Sequence, residues 1–360
     1  MCGPAYVLGE QDADHTTVTG LIERARTFDM PVKASLWGWG RVRRTAKDVE
    51  TLAVESSAAT LRGCGAEPES VDGLILCSTR FPGGPVTHGR FVERVLRGLG
   101  VGGAAFTGIT LNRCTNLLVG IRTAQALVAA GHHRRVLVVT TDRVTDESVR
   151  MESFALFSDG AASCLVSDEP LGPDTYEIVG GASAQDPDAL DWSHEISADL
   201  ARIVNERILG TAGMKAGDVD GVLHPNLFRP VIVLKERQAG FTQDQLFLEN
   251  IGRTGHCFAA DPLINLVDRA VVHGTRPDGH YLEVTAADTI ACAAPQPRSP
   301  GRGRPRRRAP APPAADQHPR SNLRQTCTAT WPPPPVFRRA RNRSSDAPTN
   351  RHDRSRSRNA

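Results

Sequence analysis

The sequence predicts an α/β fold built from two similar halves. Apolar runs rich in β-branched residues, without alternation, are typical of strands covered on both faces. Helical patterns of apolar residues separate these runs. The pattern Leu-x3-Gly-x5-Val-Asp-Gly also occurs twice, at 61–73 and 209–221. Since each copy lies where a predicted helix ends and a strand begins, the repeat indicates a duplicated half-domain.

The elements of the first half follow from hydrophobic periodicity. Apolar runs predict strands at 5–9, 71–78, 104–111 and 136–141. Helical spacing occurs at 48–61, 91–99 and 117–128. The order β-α-β-α predicts a mainly parallel sheet with helices on both faces.

The second half repeats this alternation with shorter segments. Strands are expected at 219–223 and 281–285, followed by an apolar segment at 289–294, with helices at 231–237 and 262–272. The first of these strands ends at His224-Pro225-Asn226. Catalytic residues of open parallel sheets collect at such carboxyl ends, so His224 is a candidate site residue.

Composition indicates a soluble, cytoplasmic protein. The chain has 360 residues, 40% of them hydrophobic, which is enough for one large or two medium domains. No apolar run approaches the length of a membrane span, and no secretion signal is evident. The eight cysteines are scattered without a CxxC pair, which favours free thiols in a reducing cytoplasm over disulfides or a metal site.

Charge separates a body from a basic tail. Residues 295–360 contain 16 Arg, no Lys and 3 Asp, a net +13, which leaves −10 for residues 1–294 in a chain of net +3. With 13 prolines and little apolar periodicity, the tail is expected to be disordered. Its composition resembles a GC-rich gene read in a shifted frame and implies no function. A basic arm that binds nucleic acid nonspecifically is the alternative.

Cys114 is the main candidate for a reactive group. It falls where the strand at 104–111 turns into the helix at 117–128. The free N–H groups and the dipole of a helix start favour an anion, so a thiol there is expected to lose its proton more easily than free cysteine. The alternative is a buried structural cysteine, since free Cys is among the most buried residues.

Three segments, in this order, resemble the thiolase-fold acyl transferases of the β-ketoacyl-acyl carrier protein synthase III-like branch. They are the strand-Cys-helix unit at Cys114, Phe-Ser-Asp-Gly-Ala-Ala at 157–162, and His224-Pro225-Asn226. The resemblance covers about residues 45–294. It implies a five-layered αβαβα fold, a homodimer, and an acyl group carried on the cysteine. The halves would be 1–168, with Cys114, and 169–294, with His224.

The resemblance also implies roles for individual residues. Cys114 would attack an acyl thioester of coenzyme A or of an acyl carrier protein, with no other cofactor. His224 would serve as general base or hydrogen-bond donor in the second half-reaction. Backbone N–H groups near Cys114 and Ala287 would hold the thioester oxyanion. Asn226 and Asn250 are further candidates for substrate contact.

Departures from the family pattern affect the expected reaction. Where such synthases typically read Gly-Asn-Thr-Ser, residues 252–256 read Gly-Arg-Thr-Gly-His, so Arg253 stands for the Asn that assists decarboxylation. His256 either takes a role near the thiolate or packs at the next helix start. The family's glycine-rich loop appears at 285–288 as Thr-Ala-Ala-Asp.

These departures favour acyl transfer, in specialised (polyketide-type) metabolism, to a hydroxyl, an amine or a second carrier. A decarboxylative synthase for a polyketide or fatty acid starter is the alternative enzyme. A catalytically silent partner subunit and a nucleic-acid binder are alternatives of other classes. No membrane partner is expected.

Overall fold

The computed structural model describes residues 1–285 and 287–294, which belong to one compact unit. Predictions for Ala286 and for the tail at 295–360 therefore lie outside the described residues. The strands are β1 (Cys2–Leu8), β2 (Gln11–Asp14), β3 (Arg41–Arg44), β4 (Gly73–Cys77), β5 (Ala105–Ile109), β6 (Arg135–Asp142), β7 (Gly160–Ser167), β8 (Glu177–Ser183), β9 (Gly221–Leu223), β10 (His280–Val284) and β11 (Asp288–Ala293). The helices are α1 (Leu21–Thr27), α2 (Ala34–Trp37), α3 (Val49–Cys64), α4 (Pro85–Leu99), α5 (Asn116–Ala129), α6 (Trp192–Ile196), α7 (Ala198–Ala212), α8 (Arg229–Gln238), α9 (Glu249–Arg253) and α10 (Asp261–His273).

The two main sheets share one topology. The first has the strand order β1-β7-β6-β4-β5 and the second β8-β11-β10-β9. The outer pairs β1/β7 and β8/β11 are antiparallel, as are β7/β6 and β11/β10. The pairs β6/β4 and β10/β9 are parallel. A parallel bridge from Val222 to Leu246 stands where the second sheet would have its fifth strand. The duplication expected from the repeat is therefore present in the strand order.

The prediction of a mainly parallel sheet is wrong, because both sheets are mixed. Parallel neighbours need a crossover segment that returns the chain to the same end of the sheet. Helices supply that crossover for β4, β5 and β6. From β6 to β7, and from β10 to β11, the chain turns back without such a helix, and the strands pair antiparallel.

The repeated sequence motif has the same structural role in both halves. Gly65 and Gly213 end α3 and α7 in the left-handed conformation, with φ of 59° and 66°. Seven residues later, the Asp72 carboxylate accepts the backbone N–H of Arg135, and Asp220 accepts that of His280. Each aspartate thus fixes the start of the neighbouring strand, β6 or β10.

Five layers result from the packing of helices on these sheets. Helices α3 and α4 cover the outer face of the first sheet, and α7 covers the outer face of the second. Helices α5 and α10 lie between the sheets and share a buried core with both. The αβαβα fold of two similar halves is therefore confirmed. The boundary between halves after residue 168 stays a prediction.

Strand β5 forms one edge of the first sheet. It pairs with β4 on one side, and most of its residues are exposed, Phe106 to 56%. Edge strands offer unpaired backbone groups to another chain. Within the described residues, no helix is long and apolar enough to cross a bilayer.

Candidate active site

Cys114 lies on a tight turn between β5 and α5, as the sequence predicts. The turn spans Arg113–Thr115, and Arg113 has a φ of 50°, which is uncommon for a non-glycine residue. Asn116 braces it, since its side chain accepts the N–H of Asn112 at 3.0 Å and donates to the carbonyl of Ser78 at 3.0 Å. The thiol is buried and faces the second half of the protein.

His256 is the residue that meets this thiol. Its Nε2 lies 3.3 Å from Cys114 Sγ, and its Nδ1 lies 2.5 Å from Oδ2 of Asp261. All three side chains are buried. A carboxylate facing Nδ1 keeps the proton on that nitrogen, so Nε2 presents a lone pair to the thiol. The arrangement is a cysteine–histidine–aspartate triad.

Asp261 is fixed at the start of α10. Its Oδ1 accepts the backbone N–H of Cys257 at 2.7 Å, and its Oδ2 accepts that of Asn226 at 2.6 Å. A carboxylate that accepts several hydrogen bonds holds its orientation. Asp261 therefore orients the imidazole of His256 and ties it to the loop after β9.

The backbone of His256 is fixed by the Phe-Ser-Asp-Gly segment. Its N–H donates to the carbonyl of Leu156 and its carbonyl accepts from Ser158, both at 2.8 Å. The ring of Phe157 packs against the imidazole with centroids 5.1 Å apart. Gly255 precedes it with a φ of 69°, and a Cβ there would lie 2.9 Å from the Leu156 carbonyl oxygen. Only glycine fits this close approach.

The expectation that Cys114 loses its proton easily is wrong. Burial raises the pKa of the thiol well above its usual value, and the carboxylates of Glu195, Asp142 and Asp261 raise it further. Desolvation is the largest cause of this shift. The resting thiol is therefore protonated, and it needs His256 as a base at the moment of attack.

His224 lies at the end of β9, as predicted, but no hydrogen bond joins it to Cys114. Its Nδ1 is 2.9 Å from the carbonyl of Pro225, and Nε2 has no hydrogen-bond partner among the described residues. Burial lowers the pKa of His224 to about 4, so the ring is neutral at physiological pH. The backbones of Pro225 and Phe247 act in the opposite direction and raise the pKa of this ring.

The candidates Asn226 and Asn250 belong to a buried amide network beneath the triad. Asn265 of α10 donates to the carbonyl of His224 at 2.6 Å and to Oδ1 of Asn226 at 3.0 Å. Asn250 donates to Oδ1 of Asn265 at 2.8 Å. Asn226 also donates to Thr254 at 3.2 Å. This network joins the two loops that carry His224 and His256.

Arg253 does not stand at the thiol, and the alignment that placed it there is wrong. Its side chain is 48% exposed, pairs with Asp268 and donates to Oδ1 of Asn250 at 2.8 Å. The glycine-led residue that reaches Cys114 is His256, three positions later. In this loop Gly252 precedes Arg253 and Gly255 precedes His256. The sequence alone does not show which of the two residues faces the thiol.

Ala287 is buried in the turn between β10 and β11, where its carbonyl accepts the N–H of Ala184 at 3.0 Å. Its role at the oxyanion stays a prediction. Among residues 1–285 and 287–294, no cluster of His, Cys, Asp or Glu could hold a metal ion. Seven cysteines of this part are free and buried.

Sequence reasoning missed Asp261 and Asn265. Asp261 is followed by Pro262 at the first turn of α10, five residues after His256. A histidine followed by an acidic helix start was the available signal. No sequence signal identified Asn265, because buried amides within apolar helices have many structural uses.

Comparisons with known proteins find relatives by sequence. The family model for 3-oxoacyl-[acyl-carrier-protein] synthase III matches residues 110–185. Beta-ketoacyl-[acyl-carrier-protein] synthase III 2 of Vibrio cholerae is 27% identical over 252 residues, covering 61% of this chain and 66% of that protein. The corresponding Staphylococcus aureus synthase III is 24% identical over 249 residues, covering 64% of this chain and 77% of that protein.

Solved structures share the whole fold. The acyltransferase ChlB3 superposes with a TM-score of 0.69 at 18% identity, over 82% of this chain and 97% of that chain. The priming β-ketosynthase of the R1128 polyketide pathway superposes with a TM-score of 0.62 at 18% identity, over 82% and 96%. The chain therefore has the fold of these acyl-transferring and condensing enzymes, and its residues 110–185 are similar to 3-oxoacyl-[acyl-carrier-protein] synthase III.

Proposed function

We propose that the protein transfers an acyl group through a thioester on Cys114 to a protic acceptor in specialised metabolism. This proposal rests on the hydrogen-bonded triad of Cys114, His256 and Asp261. An imidazole held by a carboxylate is a general base, which an amide side chain is not. Acyl transfer to a hydroxyl or amine needs such a base in both half-reactions.

In the first half-reaction, the thiol proton moves to Nε2 of His256. The Cys114 thiolate attacks the thioester carbonyl carbon, and the bond from that carbon to the carrier's sulfur breaks. The departing thiolate then takes the proton from His256. Asp261 stabilises the imidazolium that exists between these transfers.

In the second half-reaction, the acceptor's O–H or N–H gives its proton to Nε2 of His256 as its heteroatom attacks the acyl carbon. The bond to Cys114 Sγ breaks, and the thiolate regains the proton. His224, buried and neutral at the end of β9, is a further candidate for contact with the substrate. The donor is a thioester of coenzyme A or of an acyl carrier protein, and the names of the relatives include an acyl carrier protein.

Intact-mass spectrometry tests the acyl-enzyme directly. The protein is incubated with a panel of acyl thioesters of coenzyme A and of acyl carrier protein. We expect a mass increase equal to the acyl group, lost in Cys114→Ala and kept in the matched variant Cys64→Ala, which removes a buried thiol of the outer core. An adduct that survives Cys114→Ala contradicts the proposal. No adduct with any donor favours the silent partner subunit.

Decarboxylative condensation is the second candidate, because relatives and solved neighbours carry synthase names. Acetylated protein supplied with a malonyl thioester would then release carbon dioxide and form a β-ketoacyl product. We expect neither from the unaltered chain, since His256 stands at the thiol, where such synthases typically have Asn. His256→Asn, rather than Arg253→Asn, is the substitution that would move the site toward condensation.

The homodimer is also proposed, through the free edge of β5. Its exposed Phe106 and the adjoining Leu111, 92% exposed, are apolar residues at a strand edge able to extend the sheet into a second copy. The cytoplasmic location stays a prediction.

A further inference from the structure

Arg150 is a buried cation that the two half-reactions do not use. It follows the turn Glu147–Val149 between β6 and β7 and is only 1% exposed. Burial of a guanidinium is costly unless paired charges and hydrogen bonds compensate for the lost water. The groups that bind Arg150 therefore indicate what this side chain holds in place.

One edge of the guanidinium binds Glu147. Nε of Arg150 lies 3.0 and 2.8 Å from the two carboxylate oxygens, and Nη2 donates to the first of them. These hydrogen bonds are the largest cause that lowers the pKa of Glu147, so the carboxylate stays ionised at neutral pH. Because the side chain of Glu147 is 43% exposed, this edge anchors Arg150 at the protein surface.

The opposite edge binds the segment 157–159. Nη1 of Arg150 donates to the carbonyl of Phe157 at 3.0 Å and to Oδ1 of Asp159 at 3.2 Å. The backbone of Arg150 binds the same segment, because its carbonyl accepts the N–H of Phe157 at 2.8 Å. One arginine thus binds both backbone polar groups of Phe157.

Phe157 and its two neighbours hold His256. The carbonyl of Leu156 accepts the backbone N–H of His256, and the N–H of Ser158 donates to the His256 carbonyl. The ring of Phe157 packs against the imidazole, with centroids 5.1 Å apart, and all four residues are buried. A shift of Phe157 would therefore move the imidazole, and with it the Nε2 that lies 3.3 Å from Cys114 Sγ.

Charge as well as shape favours arginine at position 150. Asp159 is buried and accepts two backbone N–H groups, at 2.8 and 2.9 Å, besides its ion pair with Arg150. A neutral residue in place of Arg150 would leave Asp159 without the cation that pairs with it. Lysine keeps the positive charge, but its single ammonium group cannot bind Glu147 on one edge and Phe157 on the other. Arg150→Lys therefore removes the two-sided contact while it keeps the charge.

We propose that Arg150 is a positioning residue for the base: through Phe157, it keeps Nε2 of His256 within reach of the Cys114 thiol. This assignment rests on the proposed function only for the role of His256 as base. Because a misplacement of about 1 Å can reduce a rate about 100-fold, a small shift of the imidazole is enough to impair proton transfer.

A double-mutant cycle between Arg150→Lys and His256→Asn tests this role. Alkylation of Cys114 by iodoacetamide serves as the readout, since it requires the thiol to lose its proton but does not require acyl transfer. The adduct on the Cys114 peptide is quantified by mass spectrometry, which separates it from the other cysteines. Thermal unfolding shows whether each variant is folded.

We expect Arg150→Lys to slow alkylation about tenfold at pH 7 when His256 is present, and less than about twofold in the His256→Asn protein. A positioning residue loses its effect once the group it positions is gone, whereas a general loss of packing slows both proteins equally. The deficit should also shrink toward pH 9, because thiolate then forms without the base. Equal slowing in both backgrounds, or no slowing in folded Arg150→Lys, overturns the assignment.

Arg24→Lys is the matched control. Arg24 also binds a backbone carbonyl and a carboxylate, those of Met151 at 2.7 Å and Glu152 at 3.0 Å, and both partners precede the segment that holds His256. Alkylation should stay within about twofold in this variant, with or without His256. A loss equal to that of Arg150→Lys would indicate general loosening and would overturn the assignment.

Glu147→Gln weakens the same contact from its exposed side and decides the question if Arg150→Lys does not fold. We expect this variant to slow alkylation about threefold, and this slowing to disappear in the His256→Asn protein. Slowing that persists without His256, or no slowing at all, contradicts the assignment.

Acylation by acetyl-CoA, followed by intact mass, repeats the cycle for the reaction itself. We expect the same pattern, a loss in Arg150→Lys that is absent when His256 is replaced. Acylation that proceeds at an unchanged rate in Arg150→Lys refutes the assignment alone. If no protein takes up an acyl group, the unaltered chain included, the proposed function fails, and the alkylation cycle still decides the role of Arg150.

Discussion

His256→Asn is the substitution that separates a catalytic from a packing role for this histidine. The asparagine keeps a polar side chain beside Cys114 but removes the base that lies 3.3 Å from Sγ and the ring that binds Asp261. Because burial raises the pKa of the thiol, very little thiolate exists without that base. We therefore expect acylation to slow severely.

The size of the loss follows from general base catalysis. A positioned base contributes about 10²–10⁴-fold to a rate, which corresponds to roughly 3–5 kcal/mol of activation free energy. The acylation rate with acetyl-CoA should fall by that factor. The time course of the intact-mass adduct measures it, and thermal unfolding of each variant shows whether the fold is kept.

Arg253→Asn is the matched control in the same loop. Arg253 binds Asp268 and Asn250 and does not reach the thiol. The acylation rate of this variant should therefore stay within about threefold of that of the unaltered protein, as the modest effect of a half-exposed ion pair implies. Loss of less than tenfold in a folded His256→Asn protein would refute the role of His256 as base. So would an equal loss in both variants.

Three further predictions follow from other parts of the structure. In His256→Asn, alkylation of Cys114 by iodoacetamide should rise about tenfold per pH unit across pH 6–9, because the thiol pKa is raised above this range and thiolate fraction limits the rate; a plateau below pH 8 would contradict it. Burial raises the pKa of Glu283 to about 7, so the contribution of this carboxyl to stability is present below its unfolded pKa, near 4.5, and is lost as pH rises through 7. The free energy of unfolding of Glu283→Gln, measured with urea, should therefore exceed that of the unaltered protein by up to about 3 kcal/mol at pH 8 and should equal it at pH 4. Phe106→Glu should convert a dimer to a monomer by light scattering, whereas Val271→Glu, at a more exposed apolar position on α10, should not; a monomer before substitution would refute the interface on β5.

Features that depend on local sequence were predictable. The helix ends at Gly65 and Gly213 and the strands that follow them come from glycine's access to positive φ and from apolar runs. Cys114 was placed correctly because a strand, a turn and a helix succeed one another within a few residues. The same local pattern gave the wrong direction for the thiol pKa, because the surrounding layers supply the burial.

Features that depend on distant contacts were not predictable in detail. His256 meets Cys114 across 142 positions, and this contact decides which of two glycine-led residues faces the thiol. His224 was expected at the site because it ends a strand, and its ring hydrogen-bonds locally to Pro225. The role of Asp261 depends on the conformation of the loop that brings it to His256.

The central claim is that Cys114 carries an acyl group that His256 then helps to pass on. Protein labelled with [¹⁴C]acetyl-CoA and freed of excess donor can be mixed with ethanolamine, and the label followed in the Cys114 peptide and in the small-molecule fraction. We predict that label appears on Cys114, moves to acetylated ethanolamine, and stays on the peptide in folded Asp261→Asn for at least tenfold longer. Label on another residue, or transfer at an unchanged rate in Asp261→Asn, would contradict the account.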